Sequence, residues 1–149
     1  LPERVNEADG QLTTDLRFWD KLISQLKTFK SALIKDATSL AKDDRTIETP
    51  DGEGDVRIVT ATTIEVTVGG GLKKYAWSDL GPAQVLELAR RAFGEKGTRY
   101  QAYALSFAFA HKLDDAFWDI QLDVMSAPDK HVHEEWVGQL EKRLPERLK

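Results

Sequence analysis

Two histidines near the carboxyl end of the chain are the first residues to consider for metal chemistry. His131 and His133 are followed by Glu134 and Glu135, and all four belong to residue types that ligate zinc. Residues two positions apart on a helix project about 200° apart, so the two imidazoles cannot hold one ion. His133 falls on the apolar side of the predicted helix, as expected for a histidine hydrogen-bonded in a core. We therefore expect no metal site and no cofactor.

The third histidine has carboxylates one helical turn further along the chain. His111 precedes Asp114 and Asp115, and a His–Asp pair is a common device of acid–base catalysis. No nucleophile with an orienting base accompanies it, because Ser106 projects to nearly the opposite side of the predicted helix. We expect His111 to pack or to cap the helix end, and we assign no catalytic residue. An enzymatic or small-ligand-binding domain that uses His111 and these carboxylates is the first alternative.

Three aspartates form a row along one predicted helix. Asp115, Asp119 and Asp123 recur every four residues, and like charges at this spacing repel by a few tenths of a kcal/mol per pair. A row that persists despite this cost is a candidate surface for a basic partner. The other interpretation is the ordinary solvated face of an acidic protein.

Positive charge is concentrated at Lys73, Lys74, Arg90 and Arg91, with aromatic residues close by in sequence. Such a patch binds nucleic acid through phosphate contacts and base stacking. The chain as a whole carries a net charge of −4, whereas dedicated nucleic-acid binders usually have a basic excess. Nucleic-acid binding through these four residues is therefore the second alternative.

Two loops imitate ligand-binding motifs without completing them. Residues 51–55 alternate acidic residues as a calcium loop does, but Val56 and Thr62 occupy the positions of its glycine and its glutamate. Residues 69–71 are three glycines, and no lysine-serine or lysine-threonine pair follows them, as a phosphate loop requires. Both segments are interpreted as ordinary turns.

Composition excludes several classes of protein. The 149 residues contain no cysteine, which excludes disulfides, thiol catalysis and cysteine-ligated zinc and suggests a reducing, cytoplasmic location. No apolar run approaches the roughly 20 residues that span a bilayer, so we expect no membrane partner. The chain begins at Leu1 and its single methionine is Met125. We therefore interpret it as a piece of a larger multidomain protein.

The elements that would position these residues begin with one long helix. Residues 1–12 are predicted to be an arm, and residues 13–42 an amphipathic helix that Thr13 or Thr14 caps, with a kink or break near Lys30. Its apolar residues recur at spacings of one, three and four: Leu16, Trp19, Leu22, Ile23, Leu26, Phe29, Leu33, Ile34, Ala37 and Leu40. If this helix leaves apolar surface uncovered, we expect two copies of the chain to pair through it.

A short sheet is predicted after a flexible linker over residues 43–55. From residue 56 the apolar period changes to two, which predicts a β-hairpin or three-stranded meander over residues 56–78. One face would carry Val56, Ile58, Thr60, Thr62, Ile64, Val66 and Val68. The three glycines at 69–71 would make the reversal, because glycine adopts positive φ without steric cost.

An array of about four antiparallel helices is predicted over residues 79–149. Ser78 or Asp79 would cap the first of them, and Pro82 suits its first turn. A last helix from about Lys130 would turn Val132, Trp136, Val137, Leu140 and Leu144 inward, and Pro145 would end it. The segment from Tyr100 to Met125 is apolar on most sides, so its helices must be covered by neighbours.

The segment from Ala102 to Met125 resembles a helical hairpin of the tetratricopeptide type. The resemblance rests on small residues at Ala104 and Ala108, an acidic turn, and Ala116 early in the second helix. No second copy follows at the family's period of about 34 residues. The resemblance implies helix pairs stacked side by side.

The sequence thus predicts an α+β fold that is mostly helical and forms a single compact domain. We interpret it as a non-catalytic interaction or regulatory module that contacts a protein partner or other domains of a parent chain. Either the long first helix or the groove of the last helices would supply the contact surface.

Overall fold

A long helix opens the fold. The computed structural model of the chain describes residues 2–37, 40, 45–94 and 96–148, and of 2–9 and 145–148 it describes the backbone alone. Helix α1 runs without a break over Pro2–Asp36, a length of about 52 Å at 1.5 Å per residue. Of the kink or break predicted near Lys30, the break is therefore wrong. The predicted end near residue 42 falls among residues outside the described part of the chain.

The predicted arm at residues 1–12 is also wrong, since α1 begins at Pro2. Proline is tolerated in the first turn of a helix, where its missing N–H would have no partner, and an isolated Gly10 weakens a helix without ending it. Thr14 lies in the helix interior, where its hydroxyl donates a hydrogen bond of 2.9 Å to the carbonyl of Gly10. Threonine here bonds back along the helix and does not cap its start.

Four antiparallel strands follow α1 in the order β1-β2-β3-β4. Their bounds are Thr46–Thr49 for β1, Gly52–Val59 for β2, Thr63–Val68 for β3 and Gly71–Ala76 for β4. The glycine reversal is confirmed: Gly69 and Gly70 have φ of 57° and 84°, as a tight hairpin turn requires.

The predicted linker at 43–55 instead contains all of β1 and the start of β2. Pro50 and Asp51 form the turn between them, with Thr49 opposite Gly52, so the turn residues mark a hairpin. Tyr75 in β4 donates a hydrogen bond of 2.6 Å from its hydroxyl to Asp51. This bond ties the first hairpin to the last strand. Residues 43 and 44 lie outside the described residues.

A β-bulge changes which residues of β2 face the core. Val56 pairs with Val66 and Ile58 with Glu65, so Arg57 is an extra residue between the two pairs. From that point the alternation of buried and exposed residues along β2 shifts by one position. Ile58, which the sequence placed on the buried face, is 48% exposed, and Val59 is buried in its place.

Four helices make up the rest of the described chain. They are α2 over Pro82–Phe93, α3 over Thr98–Ala110, α4 over Asp114–Met125 and α5 over Glu134–Leu148. The predicted number of C-terminal helices is confirmed. Gly81 precedes α2 as its N-cap residue, whereas Asp79 accepts a hydrogen bond from the Ala76 backbone N–H within a 3-10 turn. The predicted cap at Ser78 or Asp79 is therefore wrong.

The last helix differs from the prediction at both ends. Residues Lys130–Val132 form a separate 3-10 turn before α5 begins, so Val132 points to solvent and is 66% exposed. The backbone of α5 continues through Pro145 to Leu148. Proline removes one hydrogen bond from a helix, but here it does not end it.

The connection between α3 and α4 is a Schellman motif without glycine. The N–H of Leu113 donates to the carbonyl of Ala108 at 2.9 Å, and that of Lys112 donates to Phe109 at 3.3 Å. Lys112 has a φ of 59°, the left-handed conformation that such a motif needs after the helix. Asp114 and Asp115 then lie in the first turn of α4, where the helix dipole favours negative charge.

Helix α3 lies at the centre of the molecule and contacts α1, α2, α4 and α5, while α1 and α2 also contact the sheet. Buried side chains of the sheet and the helices form one continuous cluster. Phe29 of α1 stacks on Phe107 of α3 with ring centroids 4.4 Å apart, and Phe18 packs against Phe109 and Trp136. The long helix is thus fixed to the core along one of its faces.

Candidate functional site

The buried serine of α3 has a structural role. Ser106 is fully buried, and its Oγ accepts a hydrogen bond of 2.9 Å from the indole N–H of Trp136. The hydroxyl donates toward the carbonyl of Ala102 and the side-chain oxygen of Gln25, at 3.1 and 3.2 Å. These bonds connect α1, α3 and α5 inside the core, and they leave Ser106 without a base that would activate it.

The two lysines of the predicted basic patch are paired with acids. Lys73 forms an ion pair of 3.2 Å with Asp51, and Lys74 one of 3.3 Å with Glu65. Hydrogen bonding from Tyr75, with Lys73 next, holds the pKa of Asp51 below its usual value. Neighbouring residues of a strand project to opposite sides of the sheet, so the two lysines do not converge.

The two arginines of that patch are directed elsewhere. Arg90 pairs with Asp123 of α4 at 3.5 Å. Arg91 pairs with Glu87 and donates to the carbonyl of Thr46 at 2.6 Å. All four predicted cations therefore have carboxylate partners, and the structure does not bring them together on one surface.

The carboxylate row lies exposed along α4. Asp115 and Asp119 are exposed, and Asp123 carries the ion pair to Arg90. Trp118 and Leu122 also point to solvent on the same helix. The row thus has apolar neighbours, and its role as a surface for a basic partner stays a prediction.

His111 lies at the C-terminal end of α3. Its ring packs on Phe107 with centroids 4.2 Å apart. Partial burial of the ring lowers the pKa of His111 below its usual value and so favours the neutral imidazole, while the residue as a whole remains exposed. The described residues that share a cleft with His111 include no carboxylate, so this cleft supplies no acid for the alternative that pairs His111 with Asp114 or Asp115.

The cleft beside His111 lies between α1, the 3-10 turn at Trp77–Asp79 and the helices α2 and α3. It has a volume of about 500 Å³, within the range of small-molecule sites. Leu26, Leu80, Val85 and Phe107 form most of its apolar wall. Its wall is mostly apolar, and a titratable side chain, His111, lies at its edge.

One cation lines this cleft. Lys30 of α1 is half-buried, and its ammonium lies 4.9 Å from the ring centroid of Trp77, as in a cation–π contact. The indole N–H of Trp77 donates to the carbonyl of Thr60 at 2.9 Å, which fixes the ring. No ion pair joins Lys30 to a carboxylate among the described residues. Lys30 stands among the apolar residues of α1 in the sequence, and this charge, from which a kink or break in the helix was predicted, is the sequence signal of the cleft.

The remaining histidines do not form a metal site. His131 is exposed, and the Nε2 of the largely buried His133 lies 3.9 Å from a carboxylate oxygen of Asp129. A hydrogen bond from Thr98 lowers the pKa of Asp129. Across the described residues we find no group of three or more histidine, cysteine or acidic side chains placed to bind a metal ion. None of the described helices has the length and apolar character to cross a bilayer.

An apolar stripe on α1 faces solvent. Leu12, Leu16, Trp19 and Ile23 are each exposed by about half, from 48% to 59%. Their spacings of four, three and four residues place them along one side of the helix, next to the side that carries the buried Phe18. The sequence analysis included Leu16, Trp19 and Ile23 in the apolar stripe of this helix and omitted Phe18. The apolar arc of α1 is wider than the core that covers it.

Comparisons with known proteins give no relative for this chain. No family model matches it, and neither a curated protein nor a solved structure does so. The likeness of Ala102 to Met125 to a tetratricopeptide hairpin therefore stays a prediction.

Proposed function

We propose that this chain is a non-catalytic protein-interaction module that pairs with a second copy of itself through the exposed stripe of α1. The stripe consists of Leu12, Leu16, Trp19 and Ile23. This one observation carries the proposal, because soluble proteins rarely leave aligned large apolar side chains in water without a partner.

The spacing within the stripe suits a second helix. Intervals of four, three and four average 3.5 residues, the repeat of helices that pack side by side. The order of intervals is the same in both directions, so two copies can meet antiparallel with Leu12 against Ile23 and Leu16 against Trp19. A parallel pair would place two Trp19 side chains in one layer. We therefore favour the antiparallel arrangement.

The exposed area sets the strength of this contact. The four side chains together present on the order of 400 Å² per copy, comparable to the functional patches of monomeric proteins. Two such stripes bury on the order of 800 Å², below the roughly 1,200 Å² of stable complexes. We accordingly expect a reversible dimer with a dissociation constant in the micromolar range.

The alternative functions have weaker support. Nucleic-acid binding requires free cations on one surface, whereas Lys73, Lys74, Arg90 and Arg91 are each paired with an acid. Acid–base catalysis requires a proton acceptor that is oriented by a second group, and no described carboxylate lines the cleft with His111.

Sedimentation velocity over about 1 to 200 µM protein tests the proposal across the expected dissociation constant. The wild-type chain should shift from monomer to dimer over this range. Leu16→Glu places a charge in the middle of the stripe at a residue that is already exposed, so the variant should fold normally and remain a monomer.

Leu122→Glu is the matched control, because Leu122 is a leucine on another helix that is at least as exposed as Leu16. It should dimerise like the wild type. A wild-type chain that stays monomeric at 200 µM, or a dimer that Leu122→Glu disrupts and Leu16→Glu does not, would rule out pairing through α1.

A further inference from the structure

We infer that the cleft between α1, α2 and α3 binds a small apolar carboxylate, with Lys30 holding the carboxylate and the apolar wall holding the hydrocarbon part. The inference is independent of the pairing proposed for α1, because it rests on a different surface of the monomer. The ligand class follows from three features of the cleft.

The first feature is the cation. The ammonium of Lys30 lies beside the Trp77 ring in a space whose described lining contains no carboxylate. A partly desolvated charge is costly until an opposite charge compensates it, and Coulomb attraction is stronger in such a cleft than in water. A single anionic group is therefore favoured there, and a cationic ligand is disfavoured.

The second feature is the apolar wall. Leu26, Leu80, Val85 and Phe107 surround most of the space, and these side chains offer no hydrogen bonds. Apolar surface moved from water into such a site gains about 25 cal/mol per Å². A volume of about 500 Å³ accommodates a chain or ring system of small-molecule size, so the non-ionic part of the ligand is a hydrocarbon.

The third feature is the neutral imidazole. His111 lines the same cleft, and its ring is held against Phe107. A neutral imidazole carries one N–H donor, which serves the second oxygen of a carboxylate without adding charge. Lys30 is the one described cation in the lining, and His111 and the hydroxyl of Ser78 add neutral donors, so the preferred ligand is a monoanion.

Titration of the intact chain with octanoate, octanamide and octylammonium tests the inference, with backbone NMR shifts reporting the site. The three probes share one hydrocarbon tail and differ in charge. Octanoate should bind roughly tenfold more tightly than octanamide, the effect of one charge-assisted contact, and octylammonium should bind most weakly. The shifts should centre on Leu26, Val85 and Phe107.

Two lysine substitutions separate charge from shape. Lys30→Met keeps the length of the side chain and should make the affinities for octanoate and octanamide equal, whereas Lys30→Arg should keep the preference for octanoate. Lys35→Met is the control, because Lys35 is an exposed lysine of the same helix that does not line the cleft. It should bind like the wild type.

Four results would overturn the inference: equal affinity of the wild type for octanoate and octanamide, an octanoate preference that survives in Lys30→Met, shifts that centre outside the cleft, or the absence of any binding. Repeating the titration in Leu16→Glu keeps the two proposals separable, since this variant should lose dimerisation and still bind octanoate.

Discussion

The hydrogen bonds around Ser106 make a quantitative prediction about stability. Ser106→Ala removes the Oγ atom that accepts the indole N–H of Trp136 and donates toward Gln25. Trp136 is buried, with 3% of its surface exposed, so the substitution would leave its indole N–H without a hydrogen-bond partner. Leaving a buried donor unsatisfied costs about 1–3 kcal/mol. Gln25 is only half-buried, so water can replace its lost bond at little cost.

We therefore expect Ser106→Ala to lower the free energy of unfolding by about 2 kcal/mol. Urea unfolding followed by circular dichroism measures this change. Ser24→Ala is the control, because Ser24 is exposed on α1 and the same substitution there should stabilise the helix by a few tenths of a kcal/mol. The difference between the two variants isolates the buried contact from helix propensity.

A double-mutant cycle tests whether the lost stability comes from the hydrogen bond to the indole N–H of Trp136. Trp136→Phe removes the N–H, so adding Ser106→Ala to that variant should cost clearly less than adding it to the wild type. The explanation would be refuted if Ser106→Ala were within about 0.5 kcal/mol of the Ser24→Ala control, or if its cost were unchanged in the Trp136→Phe background.

Three further predictions concern single positions, each measured by chemical unfolding or by NMR titration. Gly54→Ala should destabilise the fold by about 1–3 kcal/mol, because the added Cβ would lie 2.6 Å from the Thr67 carbonyl oxygen. Gly138 has open space around it, so Gly138→Ala should stabilise α5 by about 0.5–1 kcal/mol. Equal effects of the two substitutions would contradict this explanation. Lys112→Gly should stabilise the fold by about 0.5–1 kcal/mol, because glycine adopts the left-handed conformation of residue 112 without strain. Lys112→Ala should give no such gain. A glycine variant less stable than the wild type would contradict backbone strain at this residue. Tyr75→Phe should raise the pKa of Asp51 toward 3.8. The free energy of unfolding should then fall less steeply as the pH is lowered below 3.8, because a carboxyl group with a lowered pKa stabilises the folded state only at higher pH. Tyr103→Phe should leave the pKa of Asp51 unchanged.

The helices were predictable because their apolar residues repeat clearly, as in α2 and α5. Strand β1 was missed because it has four residues and buries one side chain, Ile47, too few to show a period of two. The bulge at Arg57 was also invisible in the sequence, since an inserted residue shows only against the strand that pairs with it.

The candidate sites were less predictable than the fold. Ion pairs such as Arg90 with Asp123 join residues 33 positions apart, and sequence alone does not show that such residues meet. The apolar arc of α1 indicated a buried face, yet it gave no means of deciding that Phe18 is covered and Leu16 is not. Which residues are covered depends on how much of the arc the neighbouring helices contact, and only the structure shows this.

The most direct test of pairing through α1 is a distance between two copies. The chain has no cysteine, so Lys35→Cys carries a single spin label near the end of the helix. Antiparallel pairing centred between Leu16 and Trp19 places the two labels about 50 Å apart along the helix axis. A dipolar electron resonance distance near or above that value in the otherwise wild-type chain, absent in the Leu16→Glu background, is the expected result. A distance of roughly 20 Å, as parallel helices would give, or no coupling at high protein concentration would contradict the proposal.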